Sequence, residues 1–371
     1  MKIAIMAPLV TAIREPQLGG SQAFIADLAR GLAGRGHDVH VYAASGSQIP
    51  GVTVIDTGVD AQALAGSLYR ADARDSSGSA SASEAAEAAF ASAYSSLRQS
   101  RYDVVHNHAF DAPAVRLAGD LAVPVLHTLH LPPDRAVAAA LQEAARSGTP
   151  PRVATVSAFQ ARAWGQTVFV DAILRPCIPT RDIPWSRRPG HGAVFAGRLS
   201  PEKGAADAID IAGAAGLPID VYGDAYDADY AREQVAPRAR RAGVTVHQAV
   251  PRASLWDAMA RAAIVLFPAR WDEPFGMAAA EAHACGTPVV AFRRGGLSEV
   301  IADGVTGFLV PPDDLQACAD AAAKTGGISR VACRGHAECH LDLNLSLDAH
   351  ERLYRKMVIS HVRRTRGAGR G

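Results

Sequence analysis

The sequence has few lysines and no excess charge of either sign. Lysine occurs only four times in 371 residues, so nearly all of the 38 basic side chains are arginines. These are matched by 37 acidic residues, which leaves a formal net charge of +1. A near-neutral chain lacks the broad basic field that nucleic-acid binding uses, so no nucleic-acid partner is expected.

Long hydrophobic runs are also missing. No apolar stretch approaches the roughly 20 residues that cross a bilayer, and the apolar start at residues 1–8 is too short for a signal peptide. The five cysteines are irregularly spaced in a long chain, which argues against a disulfide framework. We therefore expect a cytoplasmic protein with reduced thiols and no stable membrane association.

Strand and helix patterns alternate along the chain. Short β-rich runs occupy residues 2–7, 38–43, 52–56, 103–106, 124–128 and 152–156, and a second series occupies 193–196, 219–222, 244–247, 263–267, 288–292 and 307–310. Segments with apolar residues at helical spacing, such as 22–35, separate many of these runs. This alternation predicts an α/β protein with two Rossmann-like parallel sheets, each covered by helices.

A proline-rich stretch at residues 173–190 has no periodicity and reads as a linker. We therefore expect one domain at 1–172 and a second at 173–346, with a C-terminal helical segment at about 347–371 that could pack back on the first. The Ser- and Ala-rich segment 75–83 predicts a loop, followed by a helix at about 84–98.

Two loops that follow strands could bind an anion. In the first domain, Gly19 and Gly20 precede a helix, where backbone amides and the helix N-terminus favour a phosphate. A flexible turn capped by Ser21 is an equally good interpretation. In the second domain, Arg198 and Lys203 bracket a turn before a helix and could clamp a diphosphate, unless they belong to a salt-bridged surface turn.

A pair of glutamates with seven residues between them follows another strand of the second domain. Glu273 lies in a Pro/Gly loop and Glu281 lies within an Ala-rich helix. A glutamate in such an apolar setting is uncommon unless it has a partner. Two carboxylates placed this way can bind two hydroxyl-bearing groups of one ligand, with sugar hydroxyls at Glu273 and a ribose diol at Glu281. The alternative for Glu281 is a capped or solvated acid of the helix.

Polar residues at the end of a first-domain strand could contact a second substrate. The group comprises His106, Asn107, His108 and Asp111, although a structural role that fixes the loop is as well supported. His127 is expected to be structural. No metal site is expected. The cluster around Cys333, His336 and His340 falls on one helix, which is unusual for zinc ligands, and residues 224–229 are better explained as a polar loop than as a metal-binding Asp-x-Asp.

Several motifs in the second domain together resemble the retaining glycosyltransferases of the GT-B fold that are usually called family 4. They are Gly-Arg-Leu-x-x-x-Lys-Gly at 197–204, Glu-Pro-Phe-Gly with a second glutamate at 273–281, Ala-Cys-Gly-Thr-Pro-Val-Val at 284–290, Gly-Gly-Leu-x-Glu-Val-Ile at 295–301 and Gly-x-Thr-Gly-Phe-Leu-Val at 304–310. Weaker similarity in the first domain includes Gly19-Gly20, residues 103–106 and residues 128–130. The resemblance implies two Rossmann-like domains that face each other across a cleft.

The resemblance also implies roles for individual residues. Arg198 and Lys203 would bind the donor diphosphate, Glu281 the ribose, and Glu273 the transferred sugar, while His130 would lie by the anomeric carbon. The residues implied for donor binding are Gly19, Gly20, Arg198, Lys203, Tyr222, Gly223, Val250, Glu273, Phe275, Gly276, Met277 and Glu281. Those implied for catalysis are Arg198, Lys203, His130 and Glu273, and the candidate acceptor residues are His106, His108, Asp111 and His130.

The reaction that the resemblance implies is transfer of a hexosyl group, with retention of configuration, from a UDP- or GDP-linked sugar to a hydroxyl group. The acceptor is expected to be a small soluble metabolite, and neither a cofactor nor a metal is expected. Two alternatives remain open: a nucleotide-sugar-binding protein without catalysis, and a GT-B relative such as a nucleotide-sugar epimerase.

Overall fold

The computed structural model describes residues 1–61, 80–147, 150–188 and 190–368. The chain divides into two compact units. The first unit comprises Met1–Arg14, Ser21–Arg175 and Asn344–Gly371, and the second comprises Glu15–Gly20 and Pro176–Leu343. Of the predicted loop at 75–83, residues 75–79 lie outside the described residues, while residues 80–83 already belong to a helix.

The first unit contains a seven-stranded parallel sheet in the order β3-β2-β1-β4-β5-β6-β7. Its strands are β1 (Lys2–Met6), β2 (Asp38–Ala43), β3 (Thr53–Asp56), β4 (Val104–Asn107), β5 (Val125–Leu129), β6 (Arg152–Thr155) and β7 (Ala172–Ile173). The central strands β1 and β4 are almost wholly buried, as expected of a parallel sheet that is covered on both faces.

Helices connect these strands and supply the covering layers. They are α1 (Gly20–Gly34), α2 (Ala80–Gln99), α3 (Ala112–Ala118), α4 (Arg135–Arg146) and α5 (Ala158–Trp164). Helix α4 begins at an Asp134 cap whose side chain accepts from the amides of Ala136 and Val137. Burial of Phe90 and Tyr94 from α2 against the sheet, and of Trp164 beside α4, gives this unit its apolar cores.

The second unit contains a six-stranded parallel sheet in the order β10-β9-β8-β11-β12-β13. Its strands are β8 (Ala193–Ala196), β9 (Ile219–Tyr222), β10 (Val244–His247), β11 (Ile264–Phe267), β12 (Val289–Phe292) and β13 (Gly307–Val310). The helices between and after them are α6 (Ala205–Ala214), α7 (Ala228–Tyr230), α8 (Ala236–Arg238), α9 (Arg252–Arg261), α10 (Met277–Ala284), α11 (Leu297–Val300), α12 (Leu315–Lys324) and α13 (Arg330–His340). Helix α14 (Leu343–Ala368) is the last helix of the described residues and belongs to the first unit from Asn344 on.

These elements confirm the predicted α/β class and the two parallel sheets. Each of the twelve predicted strands is present to within a residue or two at its ends. Strand β7 was missed because two residues are too few for any periodicity. No helix in the described ranges is both long enough and apolar enough to span a membrane.

Two buried arginines of α13 fasten the proline-rich segment to the second unit. Arg330 donates hydrogen bonds to the carbonyl oxygens of Ser186, Ala260, Ala262 and Cys285 and to the Thr287 hydroxyl. Removal of the guanidinium would take this donor away from all of these acceptors. Because the acceptors are largely buried, the loss would cost free energy of folding.

Arg334 acts in the same way. It donates to the carbonyl oxygens of Thr180, Ile183 and Ala284. Trp185 stacks near its guanidinium, at 5.8 Å from the ring centroid. The stretch predicted as a linker is therefore ordered by hydrogen bonds wherever it meets α13.

Substitution Arg330→Met should destabilise the second unit by about 3–5 kcal/mol, because several buried acceptors lose their donor at once. The expected observation is a lower melting temperature in calorimetry. Arg232→Met, which removes an exposed arginine of the same unit, is the matched control and should melt like the unchanged protein. Equal melting temperatures for the Arg330 variant and the control would contradict this role.

Candidate functional site

The loop after β8 carries Arg198 and Lys203 on a tight turn. A short 3-10 turn at Pro201–Lys203 is followed by Gly204, whose φ is +74°. A Cβ at Gly204 would lie 2.2 Å from the Pro268 carbonyl oxygen, so only glycine lets this loop approach the loop after β11 so closely. The turn thereby places Lys203 beside residues that follow β11.

Lys203 and Glu273 form an ion pair, with 2.7 Å between Nζ and Oε2. Trp271 Nε1 donates to the same oxygen at 2.7 Å, and the lysine Nζ lies 4.6 Å from the Trp271 ring centroid. The pair is largely buried: the Lys203 and Glu273 side chains are 18% and 11% exposed. The structure thus brings together two predicted residues and adds Trp271, which had not been predicted as part of the site.

Arg198 lies on the same turn but pairs with a different acid. Its Nη2 is 3.0 Å from Glu202 Oε1, and its guanidinium stacks over Tyr226 at 4.2 Å from the ring centroid. Glu202 was not predicted. Both predicted cations are therefore held by a carboxylate and by an aromatic face, which fixes their positions.

Two glycines after β12 pack against the backbone of the loop that carries Glu273. A Cβ at Gly295 would lie 2.2 Å from the Glu273 carbonyl oxygen, and one at Gly296 would lie 2.6 Å from the Pro274 carbonyl oxygen. The Gly296 amide also donates to the Glu273 carbonyl at 2.7 Å. These glycines therefore allow the loop of Glu273 to pack directly against the backbone after β12.

Unpaired backbone amides lie at the N-terminus of α10. Gly276, with φ of +109°, precedes the helix. Within the described residues, no hydrogen bond is donated by the amides of Phe275, Gly276 or Met277. A helix N-terminus with unpaired donors favours an anion or an oxygen-rich ligand.

Glu281 is buried on α10 and pairs with Arg252. The Nε and Nη2 atoms of Arg252 lie 2.9 and 2.7 Å from Glu281 Oε1. Arg252 also stacks over Trp256, at 4.9 Å from the ring centroid. The sequence did not single out Arg252; the signal that could have found it is the need of a buried glutamate for a compensating charge.

The segment Glu15–Gly20, which follows β1, belongs to the second unit. The Arg252 amide donates to Glu15 Oε2 at 3.1 Å. A Cβ at Gly20 would lie 2.9 Å from Cγ of Met277, so two of the predicted donor residues are neighbours. Gly19 precedes Gly20 and is half-buried.

The carboxyl ends of β9 and β10 form the remaining side of the site. A Cβ at Gly223 would lie 1.9 Å from the Gly197 carbonyl oxygen, so glycine is required there. Tyr222 stacks on His247 with ring centroids 4.4 Å apart. Asp224 accepts from the Ala249 amide at 2.9 Å, which anchors the loop that carries Val250.

The predicted histidines of the first unit are buried. His106 and His108 are fully buried, and His130 is 8% exposed. His130 Nε2 lies 2.7 Å from His108 Nδ1, so these residues form one hydrogen-bonded group and do not act separately. His127 is also buried and bonds to Asn107, as expected for a structural residue.

Asp111 differs from the histidines because one of its oxygens lacks a partner. Its Oδ2 is buried and makes no hydrogen bond within the described part of the chain. Burial, followed by the charge of Asp134, raises the pKa of Asp111 to about 6. A carboxylate held in this way can accept a hydrogen bond from a ligand.

Several of the residues considered as metal ligands have other partners. No group of three or more His, Cys, Asp or Glu side chains in the described residues is placed to hold an ion. His336 bonds to the Val300 carbonyl, and Cys333 is buried beside Thr306. Asp227, in the polar loop, caps α7.

Two family models match the chain. Residues 18–174 match the model described as Glycosyltransferase Family 4, and residues 191–325 match the model described as Glycosyl transferases group 1. Solved glycosyltransferases share the fold along nearly the whole chain. The chain therefore belongs to the group 1 glycosyltransferases of the GT-B fold.

The chain is similar in sequence to several named glycosyltransferases. A D-inositol 3-phosphate glycosyltransferase of Kribbella flavida is 45% identical over 95 residues, which span 24% of this chain and 22% of the relative. The next two relatives are likewise covered over only 24% and 28% of their length. The enzyme of that name from Mycolicibacterium paratuberculosis is 28% identical over 99% of this chain and 93% of its own.

Many solved structures share this fold, among them the following two. Sucrose-phosphate synthase from Thermosynechococcus elongatus has a TM-score of 0.77 at 17% identity and covers 97% of this chain and all of its own. Anabaena Alr3699/HepE in complex with UDP-glucose has a TM-score of 0.72 at 19% identity and covers 96% of this chain and all of its own.

Substitution Asp111→Asn should stabilise the protein at pH 7.5 by about 1–2 kcal/mol, since it removes a buried charge whose Oδ2 makes no hydrogen bond within the described residues. In the unchanged protein the pKa is raised from 3.8 to about 6. The contribution of Asp111 to stability is therefore fully present below pH 3.8 and is lost as the pH rises through 6.

Melting curves of both proteins at several pH values between 4 and 8 provide the test. The stability difference should grow as the pH rises and vanish near pH 4. A difference that does not change with pH would show that Asp111 gains a partner in solution.

Proposed function

We propose that this protein transfers a hexosyl group from a UDP- or GDP-linked sugar to a hydroxyl of a small acceptor, with retention of configuration. The observation that carries the proposal is the group formed by Lys203, Glu273 and Trp271 in the second unit. Beside it lie Arg198 and the unpaired amides at the start of α10. Two cations, a carboxylate and free amides match the diphosphate and the hydroxyls of a nucleotide sugar.

Arg198 and Lys203 would neutralise the charge that develops on the departing diphosphate. Both are already oriented by acids and aromatic rings, so little reorganisation is needed when the donor binds. Glu273 would then share its oxygens between Lys203 and hydroxyls of the sugar. Hydrogen bonds from the amides of Phe275, Gly276 and Met277 would hold the same sugar.

In the mechanism that we favour, the departing phosphate oxygen takes the proton of the attacking hydroxyl on the same face of the sugar. The carboxylates of the site are bound to cations, as Glu273 is to Lys203 and Glu281 to Arg252. They suit positioning better than nucleophilic attack. Rate acceleration would therefore come from orientation and charge stabilisation, and we propose that neither a metal nor a cofactor takes part.

Glu281 would bind the ribose hydroxyls, with its ion pair to Arg252 holding the carboxylate in position. The loop of Val250, with Tyr222 and Gly223, would contact the base. The UDP-glucose complex of Alr3699/HepE supports a UDP-sugar as the first donor to test. The names of the relatives make a cyclitol phosphate the first acceptor to test.

Incubation with D-inositol 3-phosphate and a panel of UDP- and GDP-sugars should release nucleoside diphosphate. Release should be the same with and without a chelator. The anomeric configuration of the product should match that of the donor sugar. If no combination of donor and acceptor releases nucleoside diphosphate, the proposed function is contradicted. If turnover occurs but is lost with the chelator, only the metal-free form of the proposal is contradicted.

Substitution Glu281→Ala should weaken binding of the nucleoside diphosphate by about 10- to 100-fold, because two hydroxyl contacts to a charged acceptor are lost. Titration calorimetry measures this affinity. Glu338→Ala is the matched control, because it removes another glutamate that pairs with an arginine in the same unit. An unchanged affinity for the Glu281 variant would remove this residue from the ribose site.

A further inference from the structure

Positive charge is concentrated in the last part of the sequence, which includes the second half of α14. Residues 352–371 contain seven of the 38 lysines and arginines and none of the 37 acidic residues. Elsewhere the chain has 31 basic and 37 acidic residues. A protein that is nearly neutral as a whole is therefore polarised, with one cationic segment and an acidic remainder.

The solvent side of α14 carries much of this charge, together with two aliphatic side chains. Tyr354 and Met357 point inward and are buried, whereas Ile359 and Val362 are 53% and 39% exposed. Residues three or four apart lie on the same side of a helix, so the exposed basic residues around these two continue the same stripe. We call the following residues the basic face: Arg352, Arg355, Lys356, Ile359, Val362 and Arg363.

Most of the charges on the basic face are not neutralised by the protein. Arg355 pairs with Glu351, at 2.7 Å between Nη2 and Oε2. Among the residues that the structure describes, Arg352, Lys356 and Arg363 make no ion pair. Like charges three or four residues apart destabilise a helix, so this cluster has a small cost in folding. It is complementary to an external surface of negative charge.

The two aliphatic residues indicate which kind of anionic surface fits. At a bilayer, cations on a helix can stay at the lipid phosphates while neighbouring aliphatic side chains enter the boundary of the acyl chains. Nucleic acid offers Ile359 and Val362 no comparable apolar environment. Binding of single strands uses exposed aromatic rings, and the basic face has none.

We propose that the basic face of α14 binds anionic phospholipid headgroups and lays this helix along the surface of a bilayer. The cations supply the attraction, and Ile359 and Val362 insert shallowly. Such binding is reversible and sensitive to salt, in contrast to stable insertion. It is independent of the proposed function, because it needs only the exposed side chains of α14.

Sedimentation with lipid vesicles measures this binding. The full chain should bind vesicles of about 70% phosphatidylcholine and about 30% phosphatidylglycerol, and it should not bind pure phosphatidylcholine. Binding should fall at least roughly tenfold when sodium chloride is raised from about 0.05 to about 0.5 M, because salt screens the attraction. Equal binding to both kinds of vesicle, or no binding to either at low salt, would overturn the proposal.

The double substitution Lys356→Gln and Arg363→Gln tests the charges of the face. Each cation near an anionic surface changes the partition constant about fivefold, so this variant should bind roughly 25-fold more weakly. Arg232→Gln with Arg240→Gln is the matched control, because it removes two exposed arginines of the second unit. If both variants bind equally well, the basic face is not the site of attraction and the proposal is wrong.

The double substitution Ile359→Ser and Val362→Ser tests the aliphatic contacts at unchanged charge. Binding to the anionic vesicles should weaken about tenfold. Val305→Ser with Val331→Ser, which removes two exposed valines of the second unit, should bind like the unchanged protein. All variants should melt like the unchanged protein, because every substituted side chain is at the surface. Tighter binding to a short RNA duplex than to the vesicles, unaffected by the Ile359 and Val362 substitutions, would assign the face to nucleic acid and overturn the proposal.

Discussion

The ion pair between Lys203 and Glu273 is the interaction on which the candidate donor site depends. It joins the loop after β8 to the loop after β11, and the indole of Trp271 is bound to both partners. A largely buried ion pair gains little net stability, because desolvation of both charges offsets their attraction. Its value here is positional: it keeps a cation and a carboxylate at fixed places in the absence of a ligand.

Close backbone contacts make that placement possible. Gly204 lets the first loop approach Pro268, Gly295 and Gly296 let a third loop pack against Glu273 and Pro274, and Gly223 lets β9 approach Gly197. In each case a Cβ would overlap with a backbone atom, which cannot move as the end of a side chain can. These glycines act by excluding side chains, so that the polar groups of several loops lie within reach of one ligand.

The fold was largely predictable from the sequence, because alternating strand and helix patterns are local and each predicted strand is bounded by clear breaks. The positions of Arg198, Lys203, Glu273 and Glu281 at the ends of strands followed from the same patterns. The partners of these four residues did not follow from those patterns. Arg252 is found only when α9 and α10 are brought together, because it lies 29 residues from Glu281, although the apolar surroundings of Glu281 indicated that some partner was needed. Glu202 and Trp271 lie only four and two residues from Arg198 and Glu273, but the conformation of each loop decides whether those side chains meet.

Two of the buried carboxylates of the second unit each have a cationic partner. Glu273 is paired with Lys203, and Glu281 is paired with Arg252. A diphosphate that approaches Lys203 would compete for the lysine with Glu273, and the sugar hydroxyls would compensate Glu273 as the lysine turns to the phosphate. Binding then exchanges one set of charge-assisted hydrogen bonds for another, so no charge is left unpaired at any stage. A ligand with the diphosphate but without the sugar would leave Glu273 less well compensated, so under the proposed function the site would favour the complete nucleotide sugar over its product.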